Sequence, residues 1–239
     1  MALFQPIPSN NYVLQQERVD IWEFSLANLP LQATSLLNEE ECKRANRFYF
    51  PRHQRRFTVA RAMLRAILGA YLKQEAASIS FVYNQHGKPW VKNPFDLEFN
   101  LSHSGELALL AIGQAFPLGI DLELFSSRPY KGMAKNIFSP QELVHFSKLP
   151  KHLEPLAFFH LWAQKEALIK ACGLGLSYPT QQFDVPVTPP TNALIVDHKH
   201  QRHWQMISFM PKVACSAALC CDPQIKIIRY GVVNPLDFL

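Results

Sequence analysis

Leu118-Gly-Ile-Asp-Leu-Glu-Leu124 alternates at a period of two, with apolar residues at 118, 120, 122 and 124. A strand sends successive side chains to opposite faces, so these four share one face and Asp121 and Glu123 the other. Like charges side by side on a strand repel unless a cation sits between them. Two anionic oxygen donors suit a hard cation such as Mg²⁺, which completes its shell with water and phosphate oxygens. Taken alone, the pair is equally well the wet face of a half-buried strand.

A second segment, Trp162-Ala-Gln-Lys-Glu-Ala-Leu-Ile-Lys170, places Glu166 and Lys170 four residues apart, on one face of a helix. An exposed pair of this kind contributes only about 0.3–0.5 kcal/mol. The surrounding residues argue against exposure. Phe158, Leu161, Trp162, Leu168, Ile169 and Cys172 form an apolar stripe, and Phe159, Ala163, Ala167 and Ala171 make most of the remainder apolar or small. A helix apolar on most sides is largely buried, where charges are expensive unless partnered. Carboxylates suited to a metal, with lysines beside them, describe an enzyme that handles phosphate.

Working outward, residues 19–26 alternate as a strand and helices are expected at about 36–48 and 52–73. Strands follow near 79–83 and 97–112, separated by the turn Gln85-His-Gly-Lys-Pro89. After Pro117 the pattern restarts with a strand at 118–124, helices at about 130–148 and 154–172, and strands within 193–232. Gly173 follows the last long helix as a C-terminal cap. Arg61-Ala-Met-Leu-Arg-Ala66 and Glu166-Ala-Leu-Ile-Lys-Ala171 are also locally alike. The expected class is α+β, in two pseudo-symmetric halves over residues 1–115 and 116–239, each with helices on a mainly antiparallel sheet. A site drawing on both halves would lie in the cleft between them.

The 239 residues can bury a full core, and hydrophobic content of 48% is that of an ordinary globular protein. No apolar run approaches the roughly 20 residues that span a bilayer, and the N-terminal stretch lacks the pattern of a signal peptide. Five cysteines without CxxC or zinc spacing read as reduced thiols of a cytoplasmic protein. The net charge of +5 points to an anionic partner, a phosphorylated small molecule or an acidic protein. No dense basic stripe or recognition motif supports nucleic acid.

Phe99-Asn-Leu-Ser-His-Ser-Gly105 ends a strand in a polar turn, where Asn100, Ser102 and Ser104 offer hydrogen-bonding groups and His103 can donate to a phosphate oxygen. A plain hairpin corner accounts for the same residues. Gly87-Lys88-Pro89 presents a lysine on a stiff turn, and Arg44, Arg47, Arg56 and Arg61 make the first helices basic; Arg suits bidentate phosphate contacts. Neither a Gly-x4-Gly-Lys-Ser/Thr nor a Gly-x-Gly-x-x-Gly motif is present. A nucleophile-elbow serine is also missing.

Taken in order from about Arg44 to Phe183, these pieces resemble the 4′-phosphopantetheinyl transferases, in the larger, two-halved form that acts on many carrier proteins. The resemblance rests on Gly87-Lys-Pro89, Phe99-Asn-Leu-Ser-His-Ser-Gly105, Pro117-Leu-Gly-Ile-Asp-Leu-Glu123, Phe138-Ser-Pro-Gln-Glu142, and His160-Leu-Trp-Ala-Gln-Lys-Glu-Ala-Leu-Ile-Lys170 with Gly173-Leu-Gly-Leu176. Gln164 stands where that family has a small or hydrophobic residue. The resemblance implies transfer of the phosphopantetheine arm of coenzyme A to a serine of an acidic acyl or peptidyl carrier protein, releasing 3′,5′-ADP, by a monomer. It implies Asp121, Glu123 and Glu166 as Mg²⁺ ligands, and Lys170 on the phosphate next to the pantetheine. Lys165 is implied beside the carboxylates or pyrophosphate. The Gly87-Lys88-Pro89 turn, Ser102, His103, Arg56 and Arg44 are implied around the adenine and 3′-phosphate. Glu166 is also the implied base, a role that competes with metal ligation. Two other classes remain open on residues alone: a Mg²⁺-dependent hydrolase of coenzyme A, and a non-catalytic basic module binding acidic proteins.

Overall fold

The computed structural model describes residues 3–8, 11–127, 129–198 and 200–239, so Met1 and Ala2 of the N-terminal stretch lie outside the described residues. The first half runs β1 (Gln5–Pro6), β2 (Arg18–Ser25), α1 (Glu39–Asn46), α2 (Pro51–Leu72), β3 (Phe81–Tyr83), β4 (Pro89–Val91), β5 (Leu97–Ser104) and β6 (Leu107–Gln114). The second runs β7 (Gly119–Leu124), α3 (Tyr130–Ile137), α4 (Pro140–Ser147), α5 (Glu154–Cys172), β8 (Asn192–Asp197), β9 (Arg202–Phe209) and β10 (Cys215–Cys221). The chain closes with β11 (Ile227–Val232) and α6 (Pro235–Phe238). Strand, helices and antiparallel hairpin thus occur twice, giving the α+β architecture in two halves.

Local chemistry sets the boundaries. Asn38 and Glu41 form a capping box at the start of α1, and Gly173, at φ +69°, ends α5 in the left-handed region. The expected helix over 130–148 is two helices. Pro140 cannot continue a helix from 137, and it places Ser139 in an extended conformation where, with Glu142, it caps α4.

The two large sheets have the orders β1-β11-β2-β6-β5 and β7-β10-β9-β8, and β3 pairs with β4 in a separate two-stranded sheet. Met63, Leu64, Ile67 and Leu68 of α2 pack on Trp22, Phe24 and Leu110 of the first sheet. Phe158, Leu161, Leu168 and Ile169 of α5 pack on Trp204, Met206 and Ala218 of the second. The remaining faces meet each other, with Val19, Ile21 and Leu109 against Ile120, Leu122 and Leu219. The layers are therefore helix, sheet, sheet, helix.

The sheets do not follow the order of the two halves throughout. β11 pairs parallel with β2, and Val233, Phe238 and Leu239 pack on the first core, so residues 227–239 complete the first half. Alternation identifies a strand without naming its neighbour, and parallel pairing has no local turn to announce it.

β5 and β7 are the edges along which the sheets meet. Asn100 Oδ1 accepts from the Ile120 amide at 2.8 Å, Ser102 Oγ donates to Asp121 Oδ1 at 2.8 Å, and Ser104 Oγ accepts from the Leu124 amide at 3.2 Å. Every second side chain of β5 thus occupies polar groups of β7. On its other side β7 lies hard against α5. A Cβ on Gly119 would sit 2.2 Å from the Ala167 carbonyl oxygen and 2.3 Å from the Ala171 nitrogen, closer than any side chain permits.

A second anchor holds α5 from outside the cleft. Lys165 Nζ, with no exposed side-chain surface, pairs with Glu142 Oε2 at 2.8 Å and donates to the carbonyls of Thr180 and Phe183. Burial lowers the Lys165 pKa and raises that of Glu142, each opposed by the partner's charge. Glu142 also accepts from the Ser139 and Val185 amides at 2.8 and 2.7 Å. Removing one member of such a pair strands the other, at a cost of about 3–5 kcal/mol. Lys165→Met is expected to lose stability on that scale in urea denaturation, with Lys165→Met/Glu142→Gln recovering part of the loss. An unchanged midpoint for the single variant would contradict this role.

Candidate active site

Three adjoining cavities of about 320, 200 and 250 Å³ run between the halves, sharing Leu101 and His103, Pro89 and Asn100, and Glu166 and Lys170. They form one cleft, walled by β5, the 84–89 turn and the first helices on one side and by β7 and α5 on the other.

The largest of the three holds Asp121, Glu123, Glu166, Lys170, Ser102 and His103. Asp121 is buried, and its Oδ1 accepts from Lys170 Nζ at 2.6 Å and Ser102 Oγ at 2.8 Å. Glu123 Oε1 accepts from the Trp162 indole at 2.8 Å. Asp121 Oδ2 and Glu166 Oε1 are buried without a hydrogen-bond partner among the described residues. Burial, with Asp121 and Glu123 nearby, raises the Glu166 pKa to about 7 against the pull of Lys170. Orphaned carboxylate oxygens cost free energy unless something cationic completes them. An all-oxygen anionic set of this kind fits a hard divalent cation.

The rest of the cleft is basic. The second cavity holds His103, Arg44, Arg61 and Phe57. The His103 pKa is lowered by partial desolvation and by the positive fields of Lys170 and Arg56. Arg44 lies 5.2 Å over the Phe57 ring. Arg61 pairs with Glu41 at 3.3 Å while its Nη1 is buried and unpartnered among the described residues. The third cavity holds Gly87, Lys88 and Pro89. Lys88 Nζ reaches the carbonyls of Leu118 at 3.0 Å and Ala171 at 3.4 Å, joining the turn to the opposite wall, and burial lowers its pKa.

Most of the expected site residues meet in this cleft, and two stand apart. Lys165 follows the buried face of α5 to Glu142, because adjacent residues on a helix project about 100° apart. Arg56 is held with Arg55 on Glu106 Oε1, each at 2.7 Å, and acts on His103 only through its field. Asn100 and Arg61, among the polar and basic groups that the sequence offers, line the cleft, whereas Trp162 and Phe57 were not expected here. Trp162 had a signal: four residues before Glu166, it shares that residue's helix face.

Comparison with known proteins matches this chain to a family. The 4′-phosphopantetheinyl transferase superfamily model matches residues 117–218, and that of the 4′-phosphopantetheinyl transferase N-terminal region matches 20–114. The matches meet where β6 gives way to β7. The chain is 37% identical over 221 residues to the 4′-phosphopantetheinyl transferase HetI of Nostoc sp., covering 90% of this chain and 91% of that protein. It is 31% identical over 152 residues to the 4′-phosphopantetheinyl transferase Sfp of Bacillus subtilis, covering 63% and 66%. It is 28% identical over 211 residues to the L-aminoadipate-semialdehyde dehydrogenase-phosphopantetheinyl transferase of Mus musculus, covering 77% and 68%. A two-halved chain with this cleft, matched along 90% of its length, is an enzyme of this type and belongs to the 4′-phosphopantetheinyl transferase family.

Proposed function

We propose that the chain transfers the 4′-phosphopantetheine arm of coenzyme A to a serine of an apo acyl or peptidyl carrier protein, releasing 3′,5′-ADP, with Mg²⁺. The observation that carries this reading is the cleft's polarity. Carboxylate oxygens without partners stand at one end, and His103, Arg44, Arg61 and Lys88 extend from them. A pyrophosphate with a distal nucleotide phosphate needs that distribution. The net charge of +5 suits an acidic carrier. Both walls come from one chain, which supports a monomer, and five free thiols support a cytoplasmic setting.

Asp121, Glu123 and Glu166 would hold Mg²⁺, which supplies Lewis-acid polarisation and charge neutralisation at the pyrophosphate. Glu166 is placed to take the proton from the carrier's serine hydroxyl as that oxygen bonds to the pantetheine-side phosphorus, a role that competes with its holding the metal. The phosphorus–oxygen bond to the ADP portion breaks, and its electron pair leaves with the 3′,5′-ADP phosphate. Lys170 is placed to steady charge developing on the transferred phosphoryl group. Asn100 and Ser102 keep β7, and so Asp121, in register with β5. His103 and Arg61 bind the 3′-phosphate, with Arg44 and Phe57 beside the base.

Intact mass measurement of an apo carrier with coenzyme A and Mg²⁺ tests the reaction: the carrier should gain one phosphopantetheine arm on serine. Asp121→Asn should lower that rate at least about 100-fold, as loss of a charge acting in the transition state does, while coenzyme A affinity changes only a few-fold. Coenzyme A cleaved with no carrier modified would replace transfer by hydrolysis.

His103→Ala should weaken coenzyme A about 10-fold, near the value of one hydrogen bond to a charged group, and leave dephospho-coenzyme A nearly unaffected. Equal losses for both, by calorimetry, would remove His103 from the 3′-phosphate.

Between pH 4.5 and about 7 the folded chain retains a proton on Glu166 that the unfolded chain has released. Its contribution to stability therefore falls as pH rises through that window. In chelator, the melting temperature of Glu166→Gln should gain on that of the unsubstituted chain across it. Parallel curves would place Glu166 in contact with water.

A further inference from the structure

The cleft absorbs the carboxylates and most of the basic residues that the sequence singles out, yet among the described residues one cluster of metal-ligating groups lies outside it. Cys172 is the last residue of α5, Asp197 the last of β8, and His200 stands in the turn that leads into β9. Cys172 Sγ is 3.8 Å and His200 Nδ1 2.8 Å from Asp197 Oδ2, and the three ligand atoms lie within 4.8 Å of one another. None of these residues lines the three cavities of the cleft.

We propose that Cys172, Asp197 and His200 form a zinc site that braces the C-terminal end of α5 against the β8–β9 turn. The donor chemistry carries the choice of ion. One sulfur, one imidazole nitrogen and one carboxylate oxygen are the ligands that Zn²⁺ takes, whereas Mg²⁺ and Ca²⁺ prefer oxygen alone. At Zn–S of about 2.3 Å and Zn–N or Zn–O of about 2.0–2.1 Å, a tetrahedral ion separates its ligand atoms by roughly 3.3–3.6 Å. The observed 3.8 and 2.8 Å bracket that range and the third pair lies within 4.8 Å, so shifts of up to roughly 1.3 Å seat the ion. Thiolate and carboxylate together neutralise its charge. Binding replaces the thiol proton, which leaves to water, and the fourth position falls to water.

The surroundings already hold the carboxylate in place. Asp197 is 1% exposed, and its other oxygen accepts from the Tyr178 hydroxyl at 2.7 Å and the His200 amide at 3.1 Å. Hydrogen bonds of this kind to the free oxygen of a ligating carboxylate orient metal ligands in general. The Tyr178 ring also lies 5.5 Å from that of His200, which limits the imidazole's freedom. Cys172 is two residues beyond Lys170, and the adjacent Gly173 carbonyl accepts from Asn84 at 2.7 Å. An ion here would stiffen the helix end that presents Lys170 to the cleft. The site is distinct in chemistry and in residues from the carboxylate set of Asp121, Glu123 and Glu166.

Cobalt substitution tests the proposal without reference to activity. Metal-free protein titrated with Co²⁺ should develop an intense thiolate-to-cobalt charge-transfer band and tetrahedral visible bands at one equivalent. Cys172→Ser should abolish the charge-transfer band, and His200→Gln, at a partly exposed position, should weaken cobalt binding at least 10-fold. Asp121→Asn, which alters the cleft, should leave the band intact. One equivalent of Zn²⁺ should displace the cobalt and raise the melting temperature of the unsubstituted chain but not of Cys172→Ser. A spectrum without charge transfer, or one that persists in Cys172→Ser, would overturn the site and leave a hydrogen-bonded junction in its place.

Discussion

Everything the cleft does depends on two sheet edges being joined by side chains instead of a backbone ladder. An exposed edge presents unpaired amides and carbonyls and invites pairing with another strand. Here Asn100 and Ser104 take the amides of Ile120 and Leu124, and Ser102 takes the Asp121 carboxylate. The largest of the cleft's cavities begins beside this junction, lined by Ser102 and Asp121. On the far side of β7, Gly119 permits α5 to approach until their backbones nearly touch. One strand is thus fixed from both sides, and Asp121 is delivered to Lys170 within ion-pair distance.

This placement has an electrostatic consequence. Three carboxylates held on facing elements would ordinarily be separated or solvated. Here Lys170 compensates Asp121 and the Trp162 indole donates to Glu123. Glu166 is left with the least support, and its pKa rises accordingly. Burial and the two neighbouring carboxylates thereby set Glu166 apart. The buried Lys165–Glu142 pair makes this sustainable: it fixes α5 from the opposite side, so repulsion within the cleft cannot be relieved by moving the helix.

Where periodicity and local chemistry decide, the sequence was legible. The alternation at 118–124 and the greasy helix ending at Gly173 appear as read, as does the repeat of strand, helices and hairpin. Asp121, Glu123, Glu166 and Lys170 converge because strand and helix periods dictate which side chains share a face. What escaped depends on partners distant in the chain. The resemblance implies Lys165 as a site residue, yet its partner Glu142 becomes evident only where α4 packs beside α5. Arg56 is diverted by Glu106, fifty residues away. β11 joins the first sheet across the whole second half. Asp197 and His200 approach Cys172 only after the β8–β9 hairpin has closed over the helix.

The last of these cases shows why α5 has so little hydrophobic asymmetry. A helix buried on nearly every side cannot use an apolar stripe to fix its rotation, because any rotation buries grease. Polar residues must do so. Trp162, Glu166 and Lys170 recur every four residues and select the face toward the cleft. Lys165 can meet Glu142 only when that face is correct, and Gln164, wholly buried, donates to the carbonyls of His160 and Pro186 on another. Cys172 directs the helix end to Asp197. Turning α5 by one residue would strand each of these groups without its partner, at about 1–3 kcal/mol for every unsatisfied polar atom and more for each charge. The charges in this helix therefore do structural work before they do chemical work, and the rotation they impose is what sets Glu166 and Lys170 opposite Asp121.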